Sequence, residues 1–213
     1  PKYESNMFKH ETQVIKFLLQ WYSMNARKLP WRKKNNLNLP HPYFVFVSEY
    51  MLQQTTVNTV KNKFNEFILK WPSLNKLAQT SEPNILKFWS GLGYYSRARN
   101  LLKSAKIIHK NFKNNIPQTY DELIQLPGIG DYTAKAILGI GYNQSVMPLD
   151  ANIERILVRL YAIDKPINKV KNKLKDLGKK FISDKYSSNL IQSFMDYGSE
   201  LSLIHISEPT RLE

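Results

Sequence analysis

Glu49 lies inside an apolar run, HPYFVFVSEYMLQQTT at 41–56. A carboxylate among such neighbours is costly unless it is paired, hydrogen-bonded or used in chemistry. The bland alternative is a helix start with one glutamate on its wet face. Gln53 and Gln54 follow one turn later and can point from the same helix toward a polar ligand. A second carboxylate, Asp150, closes the connector that follows 142 and opens DANIERILVRLYAI. Asp is a good helix N-cap, and a cap fixes a carboxylate in place, so capping and catalysis are compatible roles. The third feature is LPGIG at 126–130, between the short TYDELIQ and the segment DYTAKAILGIGY. Helix, glycine-bracketed hairpin, helix makes a compact phosphate clamp. Its two glycines let successive backbone N–H groups point outward, and the next helix start adds partial positive charge. Such contacts hold a DNA backbone without reading sequence. A lone PGIG also fits any tight turn; the flanking short helices and the basic chain favour DNA.

The elements that must position these groups read almost entirely as helix. Residues 5–25 carry Val14, Phe17, Leu18 and Trp21 at three- and four-residue steps. The loop NARKLPWRKKNNLNLPHP contains Trp31 beside Arg32, which either plugs the core or lines a pocket where a flat ring and a guanidinium suit a base. In 41–56, Pro42 suits the first turn, and Phe44, Val45, Val47, Met51 and Leu52 make a helix buried on several sides. Residues 58–71 are amphipathic and stop at Pro72, and two short helices follow at 74–79 and 82–89. GLGYY at 91–95 predicts a tight turn with exposed rings, and 96–113 a helix with Arg97 and Arg99 near its start. Thr119 and Glu122 form a capping-box pattern. A lysine-rich surface helix is expected at 165–180 and a last helix at 186–199. VFVSEY is the nearest approach to a strand.

The 213 residues suffice for one domain or two small ones with a real core. The formal charge of +14 is spread along the chain, and a polyanion, nucleic acid before an acidic membrane, is the simplest use for it; a lysine-rich coding bias is the alternative. The absence of cysteine fits a reducing compartment and excludes disulfides, zinc thiolate sites and thiolate-held iron–sulfur clusters in this chain. No apolar run reaches membrane-spanning length and no signal peptide is visible. A chain that begins at Pro1 is read as a fragment or processed end. LSLIHISEPTRLE at 201–213 continues no pattern and resembles translated vector or adapter sequence.

LPWR at 29–32, VSEYMLQQT at 47–55, WPSLNKLA at 71–78, GLGYYSRARNL at 91–101, LPGIGDYTAKAI at 126–137, LDANIERIL at 149–157 and QSFMDYG at 192–198 occur in one collinear set. Together they resemble the catalytic core of a MutY-type adenine DNA glycosylase, within the helix-hairpin-helix base-excision glycosylases. The resemblance implies an all-α fold of two helical lobes with a DNA-binding cleft between them. Residues 35–145 would be a six-helix barrel carrying the hairpin at 119–141. Residues 1–34 would pack on the C-terminal lobe, of which 146–200 is the remainder, and the full-length protein would hold a [4Fe–4S] cluster. It implies removal of adenine mispaired with 8-oxoguanine or guanine by a monomeric, DNA-associated, cytoplasmic bacterial enzyme, with no membrane partner. Carried over position by position, Glu49 is the acid and Asp150 the second carboxylate, with Tyr132 and Asn152 in the catalytic set. Trp31 and Arg32 also match positions near the flipped adenine or sugar. Gln54 resembles the wedge in the base stack, and Tyr94 and Tyr95 stack or pocket contacts. Gly128 and Gly130 match the phosphate clamp, and Gln53 and Arg97 complete the DNA-contacting set.

The chemistry asks for these residue types. A base inside a duplex must be flipped, and a wedge and aromatic rings offset part of that cost. Adenine leaves only once a ring nitrogen is protonated, which Glu49 can do if its apolar surroundings keep it neutral. Positive charge then builds on the sugar, where an ionised Asp150 stabilises it, forms a transient bond or directs water. Endonuclease III-like lyases place a lysine amine where Tyr132 stands, so a monofunctional hydrolase is expected, and Lys135 reads as a surface or phosphate charge. A thymine-mismatch glycosylase can carry the same tyrosine and remains the alternative enzyme; a non-catalytic DNA-binding module explains the charge and LPGIG but leaves Glu49 unemployed. Two departures stand out. Ala151 replaces a usual glycine after Asp150, and the cluster cysteines, the first expected near Ser202, are missing along with the domain that helps recognise 8-oxoguanine. The expectation is a truncated product that binds DNA weakly and turns over poorly.

Overall fold

Short polar caps and glycine turns divide the described residues into eleven α-helices. The computed structural model describes residues 2–32, 34 and 38–204, with side-chain environments for those from 10 to 201. The helices are α1 (Lys2–Asn25), α2 (Pro42–Leu52), α3 (Val57–Lys70), α4 (Leu74–Ala78), α5 (Glu82–Trp89), α6 (Ser96–Asn111), α7 (Tyr120–Ile124), α8 (Asp131–Ala136), α9 (Ala151–Leu160), α10 (Ile167–Lys179) and α11 (Ser187–Ile204). Among the described residues there is no strand, only an isolated bridge between Lys34 and Pro40, so the all-α expectation holds and VFVSEY is helical. Most of the tail that resembles adapter sequence, residues 205–213, lies outside the described residues, as do 33 and 35–37 of the loop before α2. The last helix runs beyond its expected end at 199, through Leu201 to Ile204.

The chain divides into two compact units, Lys28–Tyr142 and Pro1–Arg27 with Asn143–Glu213. In Lys28–Tyr142 the organising element is α2. His41 caps it: burial lowers the imidazole pKa, favouring the neutral ring whose Nδ1 accepts the Tyr43 N–H at 3.2 Å. Phe46, Val47, Tyr50 and Met51 are fully buried, and each such side chain contributes about 1.5–3 kcal/mol relative to exposure. Phe44 and Leu52, expected inside, are only half-buried. Thr56, Ser73 and Thr119 cap α3, α4 and α7, each accepting from the N–H three residues on. After α8 the helix widens into a π-helical turn, Ile137–Gly141, which seats Gly141 against Pro42. A Cβ on Gly141 would lie 3.3 Å from the Pro42 Cα, so this close approach fixes the start of α2.

In the other unit α11 packs on α1 and α9, and α9 on α10. Only Leu18 of the expected α1 stripe is fully inside. Phe17 is 48% exposed, where it meets the Tyr197 ring edge-on at 5.5 Å. Asp196, fully buried, accepts the Arg27 Nε–H at 2.6 Å and the Arg27 N–H at 2.9 Å, tying α11 to the segment after α1. Glu11 is buried on α1, where Tyr161 donates to it at 2.8 Å and Lys180 lies at 3.5 Å. Burial alone would raise its pKa; the hydroxyl and the ammonium outweigh that and hold it below the ordinary value. A depressed folded-state pKa gives stability that is complete above the ordinary glutamate value, about 4.3, and is lost as pH falls through the folded value. Glu11→Gln is therefore expected to flatten the loss of urea stability between neutral and strongly acidic pH; an unchanged pH slope would count against this ion pair.

Candidate active site

Glu49 sits on the third turn of α2 and is 7% exposed, so the buried carboxylate expected from sequence is present. Its neighbour Tyr50 reaches the hairpin. The Tyr50 hydroxyl donates to the Pro127 carbonyl at 2.5 Å, and Ser104 of α6 donates to the same oxygen at 3.1 Å. Burial pushes the Tyr50 phenol well above its ordinary range, so it serves as a fixed donor. One turn on, Gln53 Nε2 donates to the Gly128 carbonyl at 3.1 Å. The helix that carries the acid and the residue just past its end thus hold the carbonyls of Pro127 and Gly128.

The two hairpin glycines adopt different conformations. Gly128 is left-handed, at φ +79°, and a Cβ there would come within 3.0 Å of Asn100 and 3.1 Å of Tyr50. Gly130 is extended, at φ −105°, and caps α8; open space surrounds the place of its missing side chain. Both are exposed, and among the described residues neither glycine N–H has a protein partner. Two such donors beside a helix N-terminus suit an anionic oxygen. Lys135 pairs with Asp131 at 2.8 Å, and Tyr132 is half-buried on α8.

Gln53 and Gln54 are off the helix. α2 ends at Leu52, Gln53 is half-buried, and Gln54 is exposed in a left-handed conformation at φ +57°. In the 91–95 turn Tyr94 is 62% exposed at φ +46°, and Tyr95 is 42% exposed, as the paired glycines predicted. Arg97, expected at the DNA surface, is instead 5% exposed, with its guanidinium directed at backbone carbonyls. Trp31 is 6% exposed and packs edge-on against Phe64 at 5.5 Å, as a plug on the core does; Arg32 beside it is half-buried.

Asp150 and Asn152 belong to the other unit. Asp150 caps α9, accepting the Ile153 N–H at 2.8 Å on Oδ1 and Asn152 Nδ2 at 3.0 Å on Oδ2. Arg155 donates to Asn152 Oδ1 at 2.9 Å and to the Gly198 carbonyl at 2.9 Å. The hydrogen bonds from Arg155 to Asn152 and from Asn152 to Asp150 run toward the carboxylate, while the second bond of Arg155 anchors it to α11. Sequence reading missed Arg155, although its place three residues after Asn152 on one helix face was the available signal. Ala151 is exposed at the first helical position, where it leaves the Asp150 cap intact.

Gly198 lets α11 cross this site. A Cβ there would lie 2.4 Å from the Asn152 carbonyl oxygen, a backbone atom that cannot swing away. Gly198→Ala is expected to cost about 3 kcal/mol, at the upper end for overpacking, and to lower the melting midpoint by roughly 6–12 °C. A midpoint within 2 °C (about 1 kcal/mol or less) of the parent would show that the crossing relaxes.

A thiolate-held iron–sulfur cluster does not fit these residues. The chain has no cysteine, and among the described residues no group of three or more His, Cys, Asp or Glu converges on a metal site. Nor, among them, is any helix long and apolar enough to cross a membrane.

Residues 47–180 match the family model described as HhH-GPD superfamily base excision DNA repair protein. The chain is 40% identical over 189 residues to the adenine DNA glycosylase of Buchnera aphidicola subsp. Acyrthosiphon pisum, covering 87% of this chain and 53% of that protein. It is 36% identical over 203 residues to the human adenine DNA glycosylase, covering 91% of this chain and 37% of that one. The chain thus spans about half, or less, of the length of the curated relatives it matches. Its fold resembles a thermostable thymine-DNA glycosylase, with a TM-score of 0.78 at 20% identity over 95% of this chain and 90% of that one. It also resembles endonuclease III trapped covalently on DNA, with a TM-score of 0.71 at 17% identity over 89% of this chain and 86% of the other. The buried carboxylate of α2, the hairpin it holds and the family match across both agree: this chain belongs to the HhH-GPD superfamily of base excision DNA repair proteins.

Proposed function

We propose that this chain carries the excision chemistry of an adenine DNA glycosylase, hydrolysing the N-glycosidic bond of adenine mispaired with 8-oxoguanine or guanine in double-stranded DNA. The observation that supports it most is the 7%-exposed Glu49, one residue from the tyrosine that clasps the hairpin. The relatives' names supply the base. In the proposed reaction the hairpin N–H groups of Gly128 and Gly130 bind a backbone phosphate. Gln54, Tyr94 and Tyr95 occupy the stack from which the nucleotide is extruded. Glu49 donates a proton to a ring nitrogen of adenine. The C1′–N9 bond breaks with its electron pair leaving on the base, and the Asp150 carboxylate stabilises the positive sugar. Water adds at C1′, losing a proton and leaving an abasic site. Tyr132, standing where lyases carry an amine, offers no Schiff base, so the strand stays intact.

The test is single-turnover base release from A:8-oxoG, A:G and T:G duplexes with this chain in excess. Adenine release from the first two, without strand cleavage, is the expected result. Thymine release would favour the mismatch alternative, and binding without release the non-catalytic one.

A further inference from the structure

One guanidinium joins the two segments that the proposed reaction sends into the base stack. Arg97 Nη1 donates to the carbonyls of Tyr50 at 3.3 Å and Met51 at 2.7 Å, and to that of Gln53; Nη2 donates to Leu92 at 2.8 Å and Gly93 at 3.0 Å. A cation at the C-terminal end of α2 is favourably placed for the last helical carbonyls. Two of the carbonyls flank exposed non-glycine residues in the left-handed region: Gln53 precedes Gln54, at φ +57°, and Gly93 precedes Tyr94, at φ +46°. Such conformations persist only where their surroundings over-determine them. The fork of the guanidinium supplies that constraint to both at once, which a single ammonium cannot do.

We infer that Arg97 is a positioning residue: it presets Gln54 and Tyr94 as one unit for base extrusion, without touching the base. This rests on the extrusion role proposed above. The closing experiment uses the full chain and a duplex carrying 2-aminopurine at the target position, whose fluorescence rises on unstacking whether or not a bond is cleaved. Arg97→Lys is expected to lower the fluorescence rise at least tenfold at equal DNA occupancy. It should slow adenine release at least tenfold on a fully stacked A:8-oxoG duplex, yet less than twofold on a substrate whose adenine lies unpaired in a bulge. Equal losses on both substrates would overturn the inference, as would a native chain that leaves 2-aminopurine stacked. A native chain that unstacks the base but releases no adenine overturns the proposed hydrolysis and leaves the role of Arg97 standing. If Arg97→Lys does not fold, the cycle between Gln54→Ala and Tyr94→Ala decides with Arg97 in place. A double variant no worse than the worse single supports one unit, and losses that multiply overturn it.

Discussion

Glu49→Gln is expected to slow single-turnover adenine release by about 10²–10⁴-fold, the range for a lost general acid. The amide keeps the size of the side chain and its place among the buried residues of α2, but has no proton to give a leaving purine. DNA affinity should change little, because Tyr50 and Gln53 hold the hairpin. Equal rates for parent and variant would remove Glu49 from the chemistry, and a parallel loss of DNA binding would assign it to structure.

Asp150→Asn should cost about 10²–10³-fold in the same assay, comparable with losing one preorganised electrostatic contact to a developing charge. Asparagine caps helices about as well as aspartate, so α9 should survive. The finer network should not. With Oδ1 still accepting the Ile153 N–H, the new amide nitrogen would face Asn152 Nδ2, donor against donor. Turning Asn152 over relieves that clash but sets its nitrogen against Arg155. The variant thus loses both the negative charge and the ordering of its support, while its melting midpoint should fall by only a few degrees, on the order of 1 kcal/mol. Full activity would show that sugar charge is stabilised elsewhere.

What could be read from the chain was local. Asp150 announced itself as a cap, Thr119 likewise, and the 91–95 turn by its glycines, because those signals span only a few neighbours. The burial of Glu49 was legible because the residues around it in sequence are also its surroundings in a helix without a polar face. Arg97 misled because a guanidinium at a helix start usually meets solvent. Its burial depends on carbonyls gathered from α2 and from the turn before α6, and no sequence window contains both. Gln53 and Gln54 misled for a related reason: helical period continued through them, while α2 ends at Leu52 and the Gln53 carbonyl accepts from that same arginine. Trp31 was undecided between plug and pocket, because its neighbour, the ring of Phe64, is 33 positions away in sequence (64 − 31).

The inner carbonyls of the hairpin are already engaged by Tyr50, Ser104 and Gln53, so the turn can offer a passing duplex only donors. Phosphates are alike at every step of DNA, so this grip cannot favour damaged over intact strands. It is also slight: amide N–H donors neutralise no phosphate charge, so the hairpin by itself would add almost nothing to the salt slope of binding. A hold of that strength releases undamaged sequence readily, and lingering at a lesion must come from whichever side chains meet the extruded nucleotide.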